Sequence, residues 1–434
     1  MEKGSQWRKW DLHFHTPSSY DYGDKSVTNQ EIIDTLFAND IAVVAITDHH
    51  VMDTERIAEL QTLGKAKGIT ILPGIEFLSE SRGKVPLHFI GIFAEDCNLT
   101  HIWGQIENRT NISKINGEGA KINQVYCNLE TTIKLIKELG GLTSIHAGEK
   151  SNTVENITNS LPHGEAQKKH IAKSVDFYEL GKPEDKESYL SVVFPAIKKH
   201  IPMIICSDNH NIKKYILKEN CWIKADTTFE GLKQVVYEAK QRVRIQALKP
   251  HQKTGYQVID SVKISHSDFL SQNIHFNQNL NSIIGGRSTG KSILLGAIAK
   301  KLNSEKEVKY GNEEYINFVN EVVSNLVVTW KDGTVNDKRE IEYFPQSYMY
   351  TLARNKNKEL DNLIEIIIRQ DSYKNQLISN YEAFISENNT DITNKVNKIF
   401  QLQENLVKKR NILKEKGDRK GIETEIEKLT KELA

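Results

Sequence analysis

Six short apolar segments of this 434-residue chain each lead into a histidine, an aspartate or a glutamate. One such ending is ordinary, but six in order favour a single pocket at one rim of a sheet or barrel. The first ending is Asp11-Leu-His13-Phe-His15-Thr16, where the two-residue period of a strand places both imidazoles on one face. The other endings are Thr47-Asp48-His49-His50, Gly74-Ile-Glu76, His88, His146 and Asp208-Asn-His210.

Segments with the apolar spacing of helices alternate with these strands. They cover residues 29–37, 54–67, 129–139, 183–200 and 229–239. The alternation predicts an α/β fold with a parallel sheet closed or nearly closed into a barrel, and ligand residues at the carboxyl ends of its strands. Residues 108–124, rich in Asn, Lys and Gly, are predicted to form a long loop near the pocket, either a substrate lid or a disordered stretch.

The types of side chain at these endings indicate the chemistry. Imidazole and carboxylate together suit Zn²⁺, Mn²⁺ or Fe²⁺ better than Ca²⁺ or Mg²⁺ alone. Two or three such ions about 3.5–4 Å apart lower the pKa of a bridging water and clamp phosphoryl oxygens. The pattern therefore favours hydrolysis of a phosphate ester by metal-bound water, without a separate protein nucleophile. The alternative is a barrel that keeps the pattern for folding and has lost turnover.

The ordered set DLHFHT, ITDHH, GIEF, HFIGIF, SIHAG and CSDNH resembles the PHP (polymerase and histidinol phosphatase) family over residues 8–245. The resemblance implies a distorted barrel of seven strand-helix units that binds two or three divalent ions. It implies one ion at His13, His15, Glu76 and Asp208, a second at Glu76, His88 and His146 with Glu76 bridging, and a third at Asp21, His49 and His210. Asp48 is expected to orient a ligand imidazole.

Other residues in this half carry weaker signals. Cys97, Cys127, Cys206 and Cys221 lack C-x-x-C spacing, which predicts neither a zinc ribbon nor a disulfide framework. His50, His163, His170 and His200 are assigned to the surface or to loops. The net charge of +1 does not by itself favour nucleic-acid binding, so any basic groove that binds nucleic acid must be a local feature. No signal peptide or membrane-spanning run is visible, and the cysteine usage favours a reducing cytoplasm.

A polar segment at 246–256 is predicted to be a linker, followed by strands at 257–264, 274–276 and 280–284. The last strand leads into a G-x-x-x-x-G-K-S motif and then an apolar helix at 293–299, which is the context of a phosphate-binding loop. In such a loop the backbone amides surround the phosphates of ATP, the lysine contacts the β/γ oxygens, and the serine hydroxyl binds Mg²⁺. The motif residues are Gly285, Gly286, Arg287, Ser288, Thr289, Gly290, Lys291 and Ser292.

Residues 255–370 resemble the first part of ABC-type ATPases of the SMC and RecF group. The resemblance implies that Gln346, in Glu342-Tyr-Phe-Pro-Gln346, contacts Mg²⁺ and the attacking water; the alternative is a polar residue at a strand end. From residue 371 a seven-residue apolar repeat predicts one arm of a coiled coil. Walker B and signature motifs are not found after Gln346, so we interpret the chain as the front part of a longer protein. The predicted domains are 1–245, a linker at 246–256, 257–370 and 371–434.

The combined architecture resembles TrlF-type AAA-like ATPases of bacteria. It implies a metal-dependent nuclease on DNA or RNA, gated by ATP, that acts in nucleic-acid processing or phage defence. It also implies a homodimer or higher oligomer formed through the ATPase, and partner proteins from a defence operon. One alternative is a small-molecule phosphomonoesterase for a nucleotide or sugar phosphate. Another is a non-catalytic, nucleotide-regulated nucleic-acid-binding module.

Overall fold

The computed structural model describes residues 4–79, 87–148, 150, 164–250, 253–267, 269–302, 313–339, 341–344, 358–416 and 419–434. The chain divides into two compact units, Met1–Ile341 and Glu342–Ala434. The predicted boundaries at 245/246 and 370/371 stay predictions. Within the described ranges, no helix is both long enough and apolar enough to cross a membrane.

Nine strands of the first unit's described part form one sheet in the order β7-β6-β5-β4-β3-β2-β1-β8-β9. The strands are β1 Gln6–Phe14, β2 Ile41–Ile46, β3 Thr70–Ser79, β4 Leu87–Ile92, β5 Leu142–Ala147, β6 Phe177–Leu180, β7 Met203–Ile204, β8 Cys221–Ala225 and β9 Val243–Ile245. The edge strands β7 and β9 contact each other, so the sheet nearly closes. This mixed α/β architecture fits the distorted barrel that the family resemblance implies.

Helices follow most strands, as the apolar spacing predicts. They are α1 Asn29–Ala38, α2 Thr54–Lys67, α3 Leu99–Arg109, α4 Ser113–Glu118, α5 Leu129–Glu138, α6 Gly164–Ser174, α7 Asp185–Ser188, α8 Phe194–Ile197, α9 Phe229–Tyr237 and α10 Ala239–Arg242. Thr28 caps α1 in a capping box with Glu31, and the Asp53 side chain accepts a hydrogen bond from Arg56 N at the start of α2. A π-helical turn, Tyr189–Val193, joins α7 to α8 within the predicted helix at 183–200.

Two expectations about this unit are corrected. The sheet is mixed rather than parallel, because β4 is antiparallel to both β3 and β5, and β8 is antiparallel to both β1 and β9. Seven residues separate β3 from β4, too few for the crossover that a parallel pair needs. The predicted loop at 108–124 contains α4 and a 3₁₀ turn, Ile122–Gln124, and Ile112 beside α4 is buried in the core.

Two apolar clusters bury the sheet. One contains the inner faces of α1, α2 and α5, and the other contains Trp10 of β1 with Leu232 and Val235 of α9. Burial against helices explains why the strands read as nearly continuous apolar runs rather than alternating ones. The polar residues that interrupt these runs at one rim are therefore exceptions that need partners.

Beyond the barrel, the first unit's described residues contain a three-stranded antiparallel sheet, β11-β10-β12. Its elements are β10 Ile259–His266, β11 Phe269–His275 and β12 Leu326–Trp330, with α11 Lys291–Leu302 and α12 Glu313–Ser324. The predicted strand at 280–284 is wrong. Leu280 is 86% exposed and Ile284 92% exposed, and no described strand pairs with this segment.

The described part of the second unit is mostly helical. It comprises α13 Lys358–Arg369, α14 Ser372–Lys416 and α15 Arg419–Leu433. The apolar residues Ile392, Ile399, Leu406 and Leu413 recur along α14 and are all exposed. Arg369 at the end of α13 pairs with Glu382 of α14, 2.5 Å apart. The coiled coil stays a prediction.

Candidate metal centre and nucleotide loop

The predicted ligand residues meet at one rim of the barrel because of strand direction. His13, Glu76 and His146 lie near the carboxyl ends of β1, β3 and β5. His88 lies near the start of β4, but β4 runs antiparallel to its neighbours, so its start reaches the same rim. Asp208 follows β7, and its backbone N–H donates to His13 O at 3.0 Å. The sheet thus gathers residues that are far apart in sequence.

Backbone pairing also places the loop histidines. His49 forms an isolated parallel bridge with Glu76, with Glu76 N donating to Asp48 O at 3.2 Å and His50 N donating to Glu76 O at 2.9 Å. Asp208 has φ +51°, in the left-handed region that is costly for a residue with a Cβ. Such strain at a rim residue is typical of a functional site.

Four side chains form the first ligand group: His13, His15, Glu76 and Asp208. The Nε2 atoms of His13 and His15 lie 3.0 Å apart, and each is 3.1 Å from Glu76 Oε2. Asp208 Oδ1 lies 3.3 Å from His13 Nε2 and 3.4 Å from His15 Nε2. Four atoms at this spacing surround a point about 2 Å from each, which matches the distance between Zn²⁺ and imidazole nitrogen or carboxylate oxygen.

A second group joins Glu76 to further imidazoles. His88 Nδ1 lies 2.7 Å from Glu76 Oε1, and His49 Nδ1 lies 3.2 Å from Glu76 Oε2. His146, which the sequence assigns to this group, is 3.5 Å from Glu76 Oε1. At ligand spacing, the structure groups Glu76 and His88 with His49, and it groups His146 with His13 and Glu179.

The third group lies on the more open side of the site. Asp21 Oδ2 is 3.3 Å from His49 Nε2 and 3.0 Å from His210 Nε2, and the His15 ring stacks on His210 with centroids 4.0 Å apart. These four residues together could hold an ion. The side chains of Asp21 and His210 are 31% and 30% exposed, whereas His13 and His15 are fully buried. The third group therefore faces the entrance.

Asp48 lies beside the first group rather than in it. Its oxygens accept from the Thr16 backbone N–H and hydroxyl, both at 2.6 Å, and Oδ1 is 4.0 Å from His15 Nδ1. Burial raises the pKa of Asp48 above its ordinary value. His15 Nδ1 itself has no hydrogen-bond partner among the described residues. The predicted orienting role of Asp48 stays a prediction.

The electrostatics of the groups fit bound cations. Burial by itself raises the pKa of Glu76, but His13, His49 and His88 lower it well below its usual range. Burial likewise opposes ionisation of Asp208, yet His13 and Lys150 hold its pKa well below the ordinary value. Both carboxylates are therefore ionised, with Glu76 buried and Asp208 26% exposed, and negative charges held out of bulk water in this way are stabilised by pairing with cations. The donor set suits the predicted divalent metals.

Sequence reasoning missed two residues of this site, Glu179 and Lys150. Glu179 Oε1 and Oε2 lie 3.0 and 2.9 Å from His13 Nδ1, and the Lys150 ammonium contacts Glu179. Glu179 lies in the apolar run of β6, so the criterion that found the other ligands could have found it. Lys150 carried no signal, because a lysine three residues beyond β5 looks like an ordinary surface charge.

His50 lies in the turn that follows the His49 bridge, which is the loop position allowed for it by the sequence, and its side chain is buried. Its Nε2 accepts a hydrogen bond from Leu78 N at 3.1 Å, which ties it to β3 as a structural residue. Burial and the neighbouring His49 lower the pKa of His50 to about 3, so the ring is neutral. His170 is exposed, His200 is partly exposed, and His163 lies outside the described residues.

The nucleotide-loop motif lies at the start of α11, which begins at Lys291. Ser288 and Gly290 have positive φ angles of 61° and 85°, and a Cβ on Gly285 would lie 2.7 Å from Thr289 Oγ1. Lys291 Nζ donates to Gly285 O at 2.9 Å, contacts Gly286 O and lies 3.3 Å from Thr289 Oγ1. The lysine therefore folds over the loop where phosphates are expected. Arg287 and Ser292 are exposed, and Gln346 lies outside the described residues.

No family model matches the sequence, and no curated protein matches it. A solved two-domain protein from Bacteroides vulgatus, described as containing a PHP-like metal-dependent phosphoesterase, is 17% identical with a TM-score of 0.37; the match covers 56% of this chain and 65% of that one, just under two thirds. A solved protein from Bifidobacterium adolescentis, described as a metal-dependent phosphoesterase, is 16% identical with a TM-score of 0.36, and the match covers 54% of this chain and 98% of that one.

An amidohydrolase from Chromobacterium violaceum, solved with sulfate and no metal, is also similar. It is 16% identical with a TM-score of 0.32, and the match covers 56% of this chain and 99% of that one. At these TM-scores the likeness assigns no family to the chain.

Proposed function

We propose that the barrel is a metal-dependent phosphoesterase that holds two or three divalent ions at its rim. The observation that carries this proposal is the first ligand group, in which the four donor atoms of His13, His15, Glu76 and Asp208 surround one point. Glu76 and His15 also belong to neighbouring groups, so ions in adjacent positions share ligands. Shared carboxylates are the usual means of holding two ions close together.

When bound, the ions polarise the phosphoryl oxygens, activate water and stabilise the leaving oxygen. The protein's own residues prepare that site. Glu179 accepts a hydrogen bond from the Nδ1–H of His13, which leaves the Nε2 lone pair directed at the first group. The buried floor excludes bulk water, and Asp21 and His210 mark the side from which a phosphate ester can enter.

We further infer that the substrate is nucleic acid, DNA or RNA. The support is Tyr20, which is 41% exposed and whose ring centroid lies 5.3 Å from that of His49. An exposed aromatic ring beside a phosphate site can stack a base while the phosphate is held by the ions. The alternative substrate, a small phosphate monoester, needs no such platform.

The test is hydrolysis in the presence of Mn²⁺ of labelled DNA and RNA oligonucleotides and of p-nitrophenyl phosphate. The unmodified protein should cleave the oligonucleotides, and a protein with both His13→Ala and His15→Ala should lose at least 100-fold in rate, because the first group loses half its ligands. His101→Ala, on the exposed face of α3, is the matched control and should keep full activity. Cleavage of the small ester alone would favour the phosphatase; full activity in the double variant would contradict the site assignment.

We also propose that the loop at 285–292 binds ATP with Mg²⁺ and gates the barrel. The support for binding is the position of Lys291 Nζ over the loop carbonyls. The support for gating is a cleft of about 750 Å³ lined by Lys224 and Arg242 of the barrel and by residues 274–277 and 279–284, which lead into the loop. Asn277 in this stretch donates from Nδ2 to Ser5 O at 2.9 Å, beside the start of the strand that carries His13.

Equilibrium binding of a fluorescent ATP analogue tests this second proposal. Lys291→Ala should lose binding by at least tenfold and should abolish any ATP dependence of hydrolysis, while the metal content stays unchanged. Lys263→Ala, on an exposed position of β10, is the control and should bind as the parent does. Equal binding in the Lys291→Ala and parent proteins would reject the loop as the nucleotide site.

A further inference from the structure

A lysine is buried in the floor of the metal centre. The side chain of Lys150 is 4% exposed, although the residue lies beyond the end of β5. Its ammonium contacts Glu179 Oε1, lies 3.2 Å from Asp208 Oδ2 and lies 3.4 Å from His13 Nδ1. A buried ammonium costs several kcal/mol unless it is well paired, so two carboxylates at contact distance make this a built arrangement.

The first of these carboxylates connects Lys150 to a ligand histidine. Both oxygens of Glu179 lie within 3.0 Å of His13 Nδ1, so that nitrogen carries the proton and donates it. His13 Nε2 is then the acceptor nitrogen, and it faces the first ligand group. Lys150 balances the charge of Glu179, so the carboxylate stays ionised and fixes the His13 ring.

The second carboxylate is itself a predicted ligand. Asp208 Oδ1 faces the Nε2 atoms of His13 and His15, whereas Oδ2 faces Lys150. The ammonium therefore selects which oxygen of Asp208 points into the first group. One lysine thus acts on two of the four ligands, directly on Asp208 and through Glu179 on His13.

We propose that Lys150 is a positioning residue that sets the affinity and geometry of the ion held by His13, His15, Glu76 and Asp208. The inference rests on the proposed metal centre. It also predicts that the neighbouring group of His13, His146 and Glu179 takes no divalent ion, because the His13 nitrogen on that side bears a proton and an ammonium already neutralises Glu179.

The experiment measures Mn²⁺ binding by equilibrium dialysis and the visible spectrum of the Co²⁺-substituted protein, for the full chain and its variants. Lys150→Met should lower the affinity for one equivalent of Mn²⁺ by about 10–100-fold. It should also shift the visible absorption bands of the Co²⁺ ion bound at that position. Glu179→Gln should lower the affinity for the same equivalent of Mn²⁺. The double variant should lose less affinity than the sum of the two single losses, because the part of the Lys150 effect that runs through Glu179 is removed by either substitution.

Lys199→Met is the control, since Lys199 is an exposed lysine whose ammonium contacts the Ala172 carbonyl and which belongs to none of the described ligand groups. It should leave the dialysis curve and the spectrum unchanged. Should Lys150→Met fail to fold, as judged by circular dichroism, Glu179→Gln carries the test: loss of the same equivalent supports the inference, and unchanged binding overturns it.

Three further outcomes would overturn the inference. The first is unchanged affinity in a folded Lys150→Met protein, and the second is additive losses in the double variant. The third is a gained equivalent of Mn²⁺ in Lys150→Met while the affinity and Co²⁺ spectrum of the first equivalent stay unchanged, which would mean that the lysine only keeps an ion out of the neighbouring group. Absence of Mn²⁺ binding by the parent protein is a separate result: it rejects the proposed metal centre, and this inference with it.

Discussion

Glu76 is the residue on which the candidate centre depends most. Its Oε2 lies within 3.2 Å of nitrogens of His13, His15 and His49, and its Oε1 lies 2.7 Å from His88. A single buried carboxylate therefore belongs to the first and second ligand groups. Removing its charge should affect more than one ion, whereas removing a residue of the third group alone should affect one.

At the residue scale, the metal content of variants distinguishes the loss of a shared ligand from the loss of a ligand of the third group alone. We expect Glu76→Gln to lose two equivalents of Mn²⁺ or more, because the amide keeps the shape but neither the charge nor both acceptor oxygens. His210→Ala, which changes only the third group, should lose one equivalent. Elemental analysis of both purified variants gives the numbers. Full metal content in the Glu76→Gln protein would contradict the assignment of Glu76 as a shared ligand.

At the same scale, sequence reasoning located most of the rim but not its supports. His13, His15, His49, Glu76 and Asp208 were visible because each ends an apolar run, and the structure brings them together. The contact between Lys150 and Glu179 joins two segments 29 residues apart and depends on the barrel being folded. No local pattern encodes such a contact. Which ligand group contains His49 and which contains His146 likewise depends on differences of a few tenths of an ångström in their distances to Glu76.

At the scale of elements, strand existence was predictable and strand direction was not. Apolar runs with helical segments between them predicted β1, β2, β3 and β5 well. The antiparallel course of β4 follows from its pairing with β3 and β5, which is a long-range property. The segment at 280–284 shows the opposite error: it has the composition of a strand, but a strand forms only where a neighbour supplies hydrogen bonds.

The close approach of strands around Gly74 gives a prediction at this scale. A Cβ at Gly74 would lie 2.9 Å from Gly91 O, Ile46 O and Thr47 Cγ2, and two of these are backbone atoms that cannot move away cheaply. We expect Gly74→Ala to lower the free energy of unfolding by about 1–3 kcal/mol, the usual cost of overpacking. Denaturant unfolding followed by circular dichroism measures the change.

Gly104 is the matched control for that substitution. It lies within α3, and a Cβ there would meet no atom within 4 Å. Gly104→Ala should therefore raise the free energy of unfolding by about 0.5–1 kcal/mol, because alanine restricts the unfolded chain and favours the helix. If both substitutions left the free energy of unfolding unchanged, the result would contradict the close approach of β3 to its neighbours at Gly74.

At the scale of the whole molecule, the predicted ligands and the nucleotide loop at 285–292 lie in the first compact unit, Met1–Ile341. The net charge of the chain is +1, so nucleic-acid binding has to come from local features and should weaken with salt. The helices of the second unit contribute no residue to the described ligand groups.

Shortening the chain tests this division. A protein that ends at Ile341 should keep the metal content and the hydrolysis rate of the full chain to within a factor of two, because each described ligand group lies before that point. The comparison uses elemental analysis and the Mn²⁺-supplemented assay. Loss of metal from a shortened protein that remains folded would show that residues 342–434 support the centre.

The central claim is that the barrel rim binds divalent metal ions, and elemental analysis of protein purified without chelator tests it most directly. We predict two or three equivalents of Mn, Zn or Fe per chain, and at most one in the protein carrying both His13→Ala and His15→Ala, since these residues serve the first and third groups. A folded parent protein that contains no metal, and takes up none when Mn²⁺ is supplied, would contradict the claim.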